Sequence, residues 1–571
     1  MVTATAMLAI ATITFVVFLP AIEGEFLNWD DDRNFVENEA FRGLRPDNLS
    51  WAWQTYHLGV WQPLAWVLFA IQHAVGGWDP RVYHTFSVAL HALNAAVFLL
   101  LTMKLIGCTS NAPVEAADPA IPSRRYRAVA MGAMIAALLF ALNPLRVEAV
   151  AWVSCQPYLP AALFFMLAMI AYLHGFQGAS GTRSRTTYSV VAFVLYIIAV
   201  LFKAVAITLP LVLLIADVYP LRRLCLARPF DFKRCAWLLV EKIPFFIVAA
   251  IAAKWAIEAK DFNESHVALS RGDLLERLGQ SADGVIFYLS KTGFPRGLTA
   301  YHELPESLLT FWPSGAAMLA VAAITIIAVR FRRRCPALLA GWGAYLVILA
   351  PNLGLIQISQ QIVAERYGYL AMLPLFALLG GAIAQQSCAR KKAVGVARRI
   401  GLPVTAGLLV IVSSILTCLY LSDWRDSVSL WRASVAVNPQ CEHSHCQLGA
   451  ALAAEAQSAD ALARWALLTE AAQHLRQAVS LRNDFAFAIS NLGAVLLKSE
   501  DFDGARGAYE SALQHADQFT DKELARIHAG LALASANLGD QPAARAHLRT
   551  AQKLGLPPEQ VLRVMDIILG E

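Results

Sequence analysis

The chain has 571 residues, of which 57% are hydrophobic and 16% charged, with a mean hydropathy of +0.50. Soluble domains carry about 25% charged residues, so these figures exclude a water-soluble enzyme throughout, and also a disordered, fibrous or disulfide-scaffold chain. The net charge of +5 does not point to nucleic acid, because no basic face with readout side chains is present. Basic residues gather instead between apolar runs, at Arg124/Arg125/Arg127, Arg183/Arg185, Arg222/Arg223/Arg228/Lys233/Arg234, Arg330/Arg332/Arg333/Arg334 and Arg390/Lys391/Lys392/Arg398/Arg399. Short loops with such an excess are cytoplasmic.

A spanning helix needs about 20 apolar residues. Runs of that kind lie near 4–22, 84–106, 128–143, 157–174, 187–202, 205–219, 236–256, 311–329, 336–351, 367–386 and 401–421. The first has no basic leader and no small-x-small cleavage site, so it reads as a retained anchor. Eleven spans put all five basic clusters inside, and put loops 23–83, 144–156, 257–310 and 352–366 outside together with everything after Leu421. Segment 281–295 is expected to be a re-entrant or interfacial helix, since a further span there inverts every later loop.

After Trp424 the pattern becomes amphipathic and repeats. Leu448-Gly449-Ala450, Leu492-Gly493-Ala494 and Ala529-Gly530-Leu531 mark first helices. Ser427/Trp431/Ser434, Ala471/Leu475/Ala478, Ala505/Tyr509/Ala512 and Ala544/Leu548/Ala551 mark second helices. The step from Ala471 to Ala505 is 34 residues, the tetratricopeptide period, and such units stack into a solenoid with a concave binding face. The expected fold is all-α: a polytopic bundle over 1–421 and a tetratricopeptide-repeat α-solenoid over 422–571 on the extracytoplasmic side. Cys441, His443, His445 and Cys446 invite a metal reading, but positions five apart on one helix converge poorly.

Chemistry is best sought in the outer loops. Asp30-Asp31-Asp32 follow the first span directly; three adjacent carboxylates raise one another's pKa when desolvated, which suits a general base. A solvated loop with Asp32 capping the next helix is the plain alternative. The aromatic run Tyr56-His57-x-x-Val60-Trp61-Gln62-Pro63 fits an interfacial helix. Arg146, Lys203 and Arg366 sit at outer boundaries, against the inward bias of basic residues. They suit either structural ion pairs with Glu148 and Glu365 or the grip on a lipid-linked phosphate. The trio could also take a divalent cation, although hard cations usually want several more oxygen ligands.

In order along the chain stand WDDD, WQPLAW, FALNPLRVEAVAWVS, LFKAVAITLPLVLLIADVYPLRR, EKIPFF, AERYGYLAMLPL and WRDSVSLW. Together they resemble the GT-C membrane glycosyltransferases with C-terminal tetratricopeptide repeats, that is, the transmembrane and tetratricopeptide repeat-containing O-mannosyltransferases and their bacterial counterparts. The resemblance implies inverting transfer of a sugar from a polyprenyl-phosphate donor to a hydroxyl acceptor on protein, outside the cytoplasm. It makes Asp30 and Asp31 the paired acids, placed by Asn38, with Asp31, alongside Asp30, expected to accept the proton of the acceptor hydroxyl, and Pro63-Leu64, beside Gln62, the donor-side loop. Glu148 is expected to orient Arg146 or the acceptor; Arg146, Lys203 and Arg366 are expected to hold the phosphate. Where relatives often carry Glu-Arg-Lys-Asp after Trp-Val-Ser, this chain has Cys155-Gln156-Pro157-Tyr158. A bacterial inner membrane with periplasmic repeats is expected, the endoplasmic reticulum being the other option. A catalytically silent membrane-anchored scaffold and a lipid-precursor transporter are the other classes; the chain lacks the internal symmetry that transporters often show.

Overall fold

The computed structural model describes residues 2–108, 124–177, 181–224, 232–262, 274–302, 311–354, 361, 363–388 and 396–569. Arg228 and Arg390–Lys392 fall outside these. Every regular element among the described residues is helical, and the chain forms two compact units, 1–298 with 302–425, and 299–301 with 426–571.

The first unit holds α1 (Val2–Val17), α2 (Pro46–Gln54), α3 (Pro63–Gly76), α4 (Pro80–Cys108), α5 (Arg124–Ala141), α6 (Val147–Ala151), α7 (Tyr158–Phe176) and α8 (Thr182–Phe202). It continues with α9 (Leu209–Val218), α10 (Phe232–Phe262), α11 (Leu274–Gly293), α12 (Phe311–Arg330), α13 (Pro336–Leu349), α14 (Gly368–Ala371), α15 (Leu373–Cys388) and α16 (Val396–Leu421). Five helices among the described residues are long and apolar enough to cross a membrane: Pro80–Cys108, Val153–Phe176, Thr182–Phe202, Phe232–Lys260 and Pro403–Trp424. Two bent pairs, Arg124–Ala141 with Pro144–Ala151 and Glu365–Ala371 with Leu373–Cys388, raise that to seven. Five to seven of the eleven expected spans thus meet that length; the other four, near 4–22, 205–219, 311–329 and 336–351, are apolar helices of 10–17 residues. Several expected spans end early, because a proline removes a helical N–H and starts a new turn. Pro20 opens the 3-10 turn after α1, Pro144 the one after α5, and Pro351 lies in the turn after α13.

Packing inside this unit follows small residues. α5 and α15 approach so closely that a Cβ on Gly132 would lie 2.2 Å from the Gly380 carbonyl oxygen; this is how apolar helices pack when no hydrophobic drive separates them from lipid. Ile243, Ile247 and Ile251 on α10, and Leu408, Ile411, Ile415 and Leu419 on α16, form outward stripes at helical spacing, the surface that hydrocarbon would cover. The 281–295 segment lies in α11, a 20-residue helix that is not among the candidate spans. Tyr345 donates to the Val285 carbonyl at 2.6 Å, and Ser281 to that of Leu353 at 2.9 Å.

The second unit contains α17 (Ser427–Val437), α18 (Glu442–Glu455), α19 (Ala461–Leu481), α20 (Ala486–Lys498), α21 (Phe502–Leu513), α22 (Asp521–Asn537), α23 (Gln541–Lys553) and α24 (Pro558–Leu569). Small residues let the paired helices meet: a Cβ on Gly449 would lie 2.6 Å from Leu475, and one on Gly530 2.4 Å from Tyr509. Second-helix positions Ala471, Leu475, Ala478, Ala505, Tyr509, Ala512, Ala544, Leu548 and Ala551 are all buried. Asp460, Asp501 and Asp540 cap α19, α21 and α23, and Thr520 with Glu523 closes a capping box on α22. Each satisfies N–H groups left open at a helix start. The Cys/His group diverges: Cys441 caps α18, Cys446 accepts from Asn491, His443 stacks on Tyr301 and His445 faces His474.

Candidate active site

The first long loop is pinned by aromatic packing. Phe35 is fully buried among Phe41, Trp66, Phe69 and Tyr83, with Phe26 against them. This fixes the turn at 27–36 on which the acids sit. Asp31 is completely buried. Its Oδ2 accepts the Leu27 N–H at 3.0 Å, and its Oδ1 accepts the Ser154 N–H at 2.9 Å and the Ser154 hydroxyl. Asn34 donates to that hydroxyl at 2.9 Å, and Trp152 donates to the Trp29 carbonyl at 2.6 Å while the two indoles stack. The first loop is thus bolted to the segment just after α6.

Asp30 is built differently. Its φ is +67°, the left-handed region that costs a non-glycine residue on the order of 1–2 kcal/mol and that aspartate enters more readily than most. Its carboxylate is half-buried and faces the positive charges of Arg33, Arg366, Lys203 and Lys260. Burial outweighs those cations and raises its pKa. Burial also pushes Asp31 up to about 7 despite its hydrogen bonds; the Asp30 charge is only a minor cause. Desolvation rather than mutual repulsion therefore sets these acids apart. Asp32 accepts the Arg33 N–H at 2.8 Å as the first residue of a π-helical turn, Asp32–Val36.

The residues expected on the donor side divide into two groups. Lys203, the residue that ends α8, donates to Gln62 Oε1 at 2.9 Å. Gln62 is buried and precedes Pro63, the first residue of α3. Arg366 lies over the Trp152 ring at 5.2 Å. Glu148 Oε2 accepts the Arg366 N–H at 2.5 Å, Oε1 binds its guanidinium, and Gln361 accepts from Nη2 at 3.3 Å. Arg146 lies apart. It is fully buried, donates to the Gly368 carbonyl at 3.0 Å and packs against Phe140 and Tyr369. The expected Glu148–Arg146 partnership is thus replaced by Glu148–Arg366. Two residues apart on a helical turn point about 200° around the axis from each other, so neighbours in sequence do not face one another. Asn38 also departs from expectation: its Oδ1 caps the Ala40 N–H at 3.1 Å, and Asn34, four residues earlier, reaches the acid anchor.

Ser154, Asn34 and Lys260 were missed from the sequence. Ser154 closes the FALNPLRVEAVAWVS run but carries no charge to single it out, Asn34 is neutral and in no motif, and Lys260 falls just past the 236–256 run in an outer loop. Gln156 is buried in a neutral network: it accepts from Gln72 at 2.6 Å and donates to Tyr83 O at 2.9 Å and to Ser87 at 2.8 Å. A divalent cation finds no converging oxygens among the acids. Donor N–H and O–H groups point at Asp31, a backbone N–H takes Asp32 Oδ1, and the charges of Arg33, Arg366, Lys203 and Lys260 act on Asp30.

No protein-family model matches the sequence. The chain is 26% identical over 215 residues to protein O-mannosyl-transferase TMTC4 of Homo sapiens, covering 36% of this chain and 28% of that protein. It is 27% identical over 170 residues to protein O-mannosyl-transferase Tmtc1 of Drosophila melanogaster, covering 28% and 17%. These matches take in under a third of the relatives' length. Among solved structures, ArnT from Cupriavidus metallidurans bound to undecaprenyl phosphate is 14% identical, with a TM-score of 0.34 over 91% of this chain and 81% of that one. A chain of the Cut9–Hcn1 hetero-tetramer is 13% identical, with a TM-score of 0.21 over 92% and 87%; both scores are too low to argue a shared fold. The resemblance carried by WDDD, WQPLAW and the later motifs is met by direct comparison: this chain is similar in sequence to the transmembrane and tetratricopeptide repeat-containing O-mannosyltransferases.

Proposed function

We propose that the protein is a membrane glycosyltransferase that moves a sugar from a polyprenyl-phosphate donor to a hydroxyl of a protein acceptor on the extracytoplasmic face. The observation that carries this reading is the half-buried Asp30 carboxylate set against Arg33, Lys203, Lys260 and Arg366. A base beside a cluster of fixed cations is what displacement of a phosphate by a hydroxyl needs. The names of the relatives point the same way.

In the mechanism, Asp30 accepts the proton of the acceptor hydroxyl as its oxygen attacks the anomeric carbon, and the bond to the lipid phosphate breaks. Attack opposite the leaving group inverts that carbon. Lys203 and Arg366 stabilise the charge on the departing phosphate, with Gln62 fixing the ammonium and Glu148 the guanidinium, so little reorganisation is needed during the step. Asp31 is a positioning residue: its three donors hold the turn that keeps Asp30 in its left-handed conformation. A raised pKa brings Asp30 nearer the working pH, where a general base is most effective. Arg146 keeps the α6 and α14 segments together from behind the site.

Loops 23–83, 144–156 and 352–366 all supply site residues, and the basic clusters assign all three to the outer face. On that pattern the repeats lie in the periplasm of a bacterial inner membrane and present the acceptor. The test is transfer of radiolabelled sugar from polyprenyl-phosphate mannose and its hexose analogues by purified wild type and Asp30→Asn. The reading requires donor-dependent transfer by wild type that is lost in the variant. Equal transfer by both removes Asp30 as the base. No transfer from any donor leaves the membrane unit a scaffold for its repeats.

A further inference from the structure

Two histidine pairs join first helices to second helices in the repeat unit. His445 of α18 and His474 of α19 bring their Nδ1 atoms to 2.9 Å, and His528 of α22 and His547 of α23 bring theirs to 3.1 Å. The pairs recur in register: His474 and His547 each directly precede the leucine of the second-helix pattern, Leu475 and Leu548. His474, His528 and His547 are partly exposed, so an ion from solution can reach both pairs.

The outer ring nitrogens show which lone pairs are on offer. His445 Nε2 lies 3.1 Å from the Pro439 carbonyl oxygen. That oxygen only accepts, so in the neutral ring Nε2 carries the proton and Nδ1 presents its lone pair. His474 Nδ1 then donates to it, while His474 Nε2 lies 4.0 Å from Glu470 Oε1, a carboxylate that Arg432 holds at 2.8 Å. Shifting the His474 proton to Nε2 turns it towards Glu470 and leaves two lone pairs facing each other. Metal-binding histidines are typically held this way, the outer N–H on a carbonyl or carboxylate. At the second pair, Glu510 and Asp540 bring negative charge to His547. Burial lowers the pKa of His474, His528 and His547, which favours the neutral ring that metal binding requires.

The spacing selects the ion. Half the nitrogen separation over the bond length is the sine of half the angle at the metal. With bonds of about 2.05 Å, separations of 2.9 and 3.1 Å give about 90° and 98°. These are angles between neighbouring ligands of a square-planar or tetragonal site, the preference of Cu²⁺ and Ni²⁺. A tetrahedral ion wants the nitrogens about 3.3 Å apart.

We propose that each histidine pair is a clamp for a divalent transition-metal ion, Cu²⁺ before Ni²⁺, held by the two Nδ1 atoms and tying the first helix of a repeat to its second. Among the described residues neither pair belongs to a group of three His, Cys, Asp or Glu that could hold a metal. Water therefore fills the remaining positions and the ions exchange with solution. The clamps go beyond the proposed sugar transfer, and Asp30 and its cations play no part in them.

The experiment is calorimetric titration of the untagged full chain, in detergent micelles and stripped with a chelator, with Cu²⁺. Wild type is expected to take up two equivalents more than the double variant His474→Gln/His547→Gln, and each single variant one more. His445→Gln is expected to match His474→Gln, and circular dichroism without metal checks that each variant keeps its helical content. Electron paramagnetic resonance of the loaded wild type is expected to show an axial Cu²⁺ signal coupled to two nitrogens that the double variant lacks. Copper is also expected to raise the wild-type unfolding midpoint above that of the double variant, because an ion that binds only the folded state stabilises it. Equal uptake by wild type and a folded double variant, or an equal rise in midpoint in both, overturns the proposal and leaves the pairs as hydrogen bonds only.

Discussion

Ser154→Ala removes one of the three donors on a fully buried carboxylate and leaves the Leu27 and Ser154 N–H groups in place. A hydrogen bond to a charged group is worth about 1.5–3 kcal/mol, and 1.36 kcal/mol corresponds to one pKa unit. Loss of a bond that favours the charged form therefore raises the Asp31 pKa further, by roughly one to two units. The group already stands at about 7 against an ordinary value of 3.8, so the folded state binds a proton that the unfolded state has released. Stability contributed by this group is present below the unfolded value and is lost as pH rises from about 4 towards 7, on the order of 4 kcal/mol in all. In Ser154→Ala the loss continues about one to two units higher. Asp31→Asn, with no proton to release, flattens the slope. The assay is the unfolding midpoint of detergent-solubilised protein between pH 4.5 and 9 for wild type, Ser154→Ala and Asp31→Asn. Coincident curves for wild type and Ser154→Ala, or an unchanged slope in Asp31→Asn, refute the reasoning.

Other outcomes follow from the same geometry. Asp30→Asn should lower transfer by about 10²–10⁴, the usual contribution of a general base, with the unfolding midpoint retained. Glu148→Gln leaves a buried guanidinium without its counter-charge and should destabilise by about 3–5 kcal/mol, read as a fall in the denaturation midpoint; an unchanged midpoint removes the pair from the architecture. Lys203→Ala should weaken donor binding as well as slow transfer, whereas Lys203→Arg should restore part of both, as measured from the donor concentration dependence of the rate. Gly530→Val drives a side chain into Tyr509 and should cost about 1–3 kcal/mol by overpacking, measured by thermal unfolding.

Much of the architecture was legible because two periodicities are strong. Apolar runs mark the membrane-embedded helices, and the Gly/Ala spacing around Gly449, Gly493 and Gly530 marks the paired helices of the tail. Span number is less direct: the apolar helices Thr3–Val17, Ala204–Val218, Ser314–Arg330 and Pro336–Asn352 are only 10–17 residues long, and α5 with Pro144–Ala151 is a bent pair. The acids Asp30–Asp32 and the cations Lys203 and Arg366 stood out because charge at a membrane boundary is unusual. Their partners did not. Glu148 looks like a mate for Arg146 until the chain brings Arg366 to it from 218 residues away. Ser154 acquires its role only because folding sets its hydroxyl against Asp31, and nothing in a serine after Trp-Val announces that. The distinct characters of Asp30 and Asp31 come from one backbone angle and one buried side chain, which no local pattern encodes.

The account stands on a lipid phosphate binding where the first loop meets Lys203. A photoreactive polyprenyl phosphate, crosslinked to the purified protein and mapped by mass spectrometry, tests this most directly. The account predicts labelling within 27–34, 57–66 and 199–206 that excess unlabelled lipid phosphate suppresses. Labelling confined to the outward faces of α10 and α16, or insensitive to competitor, would contradict it.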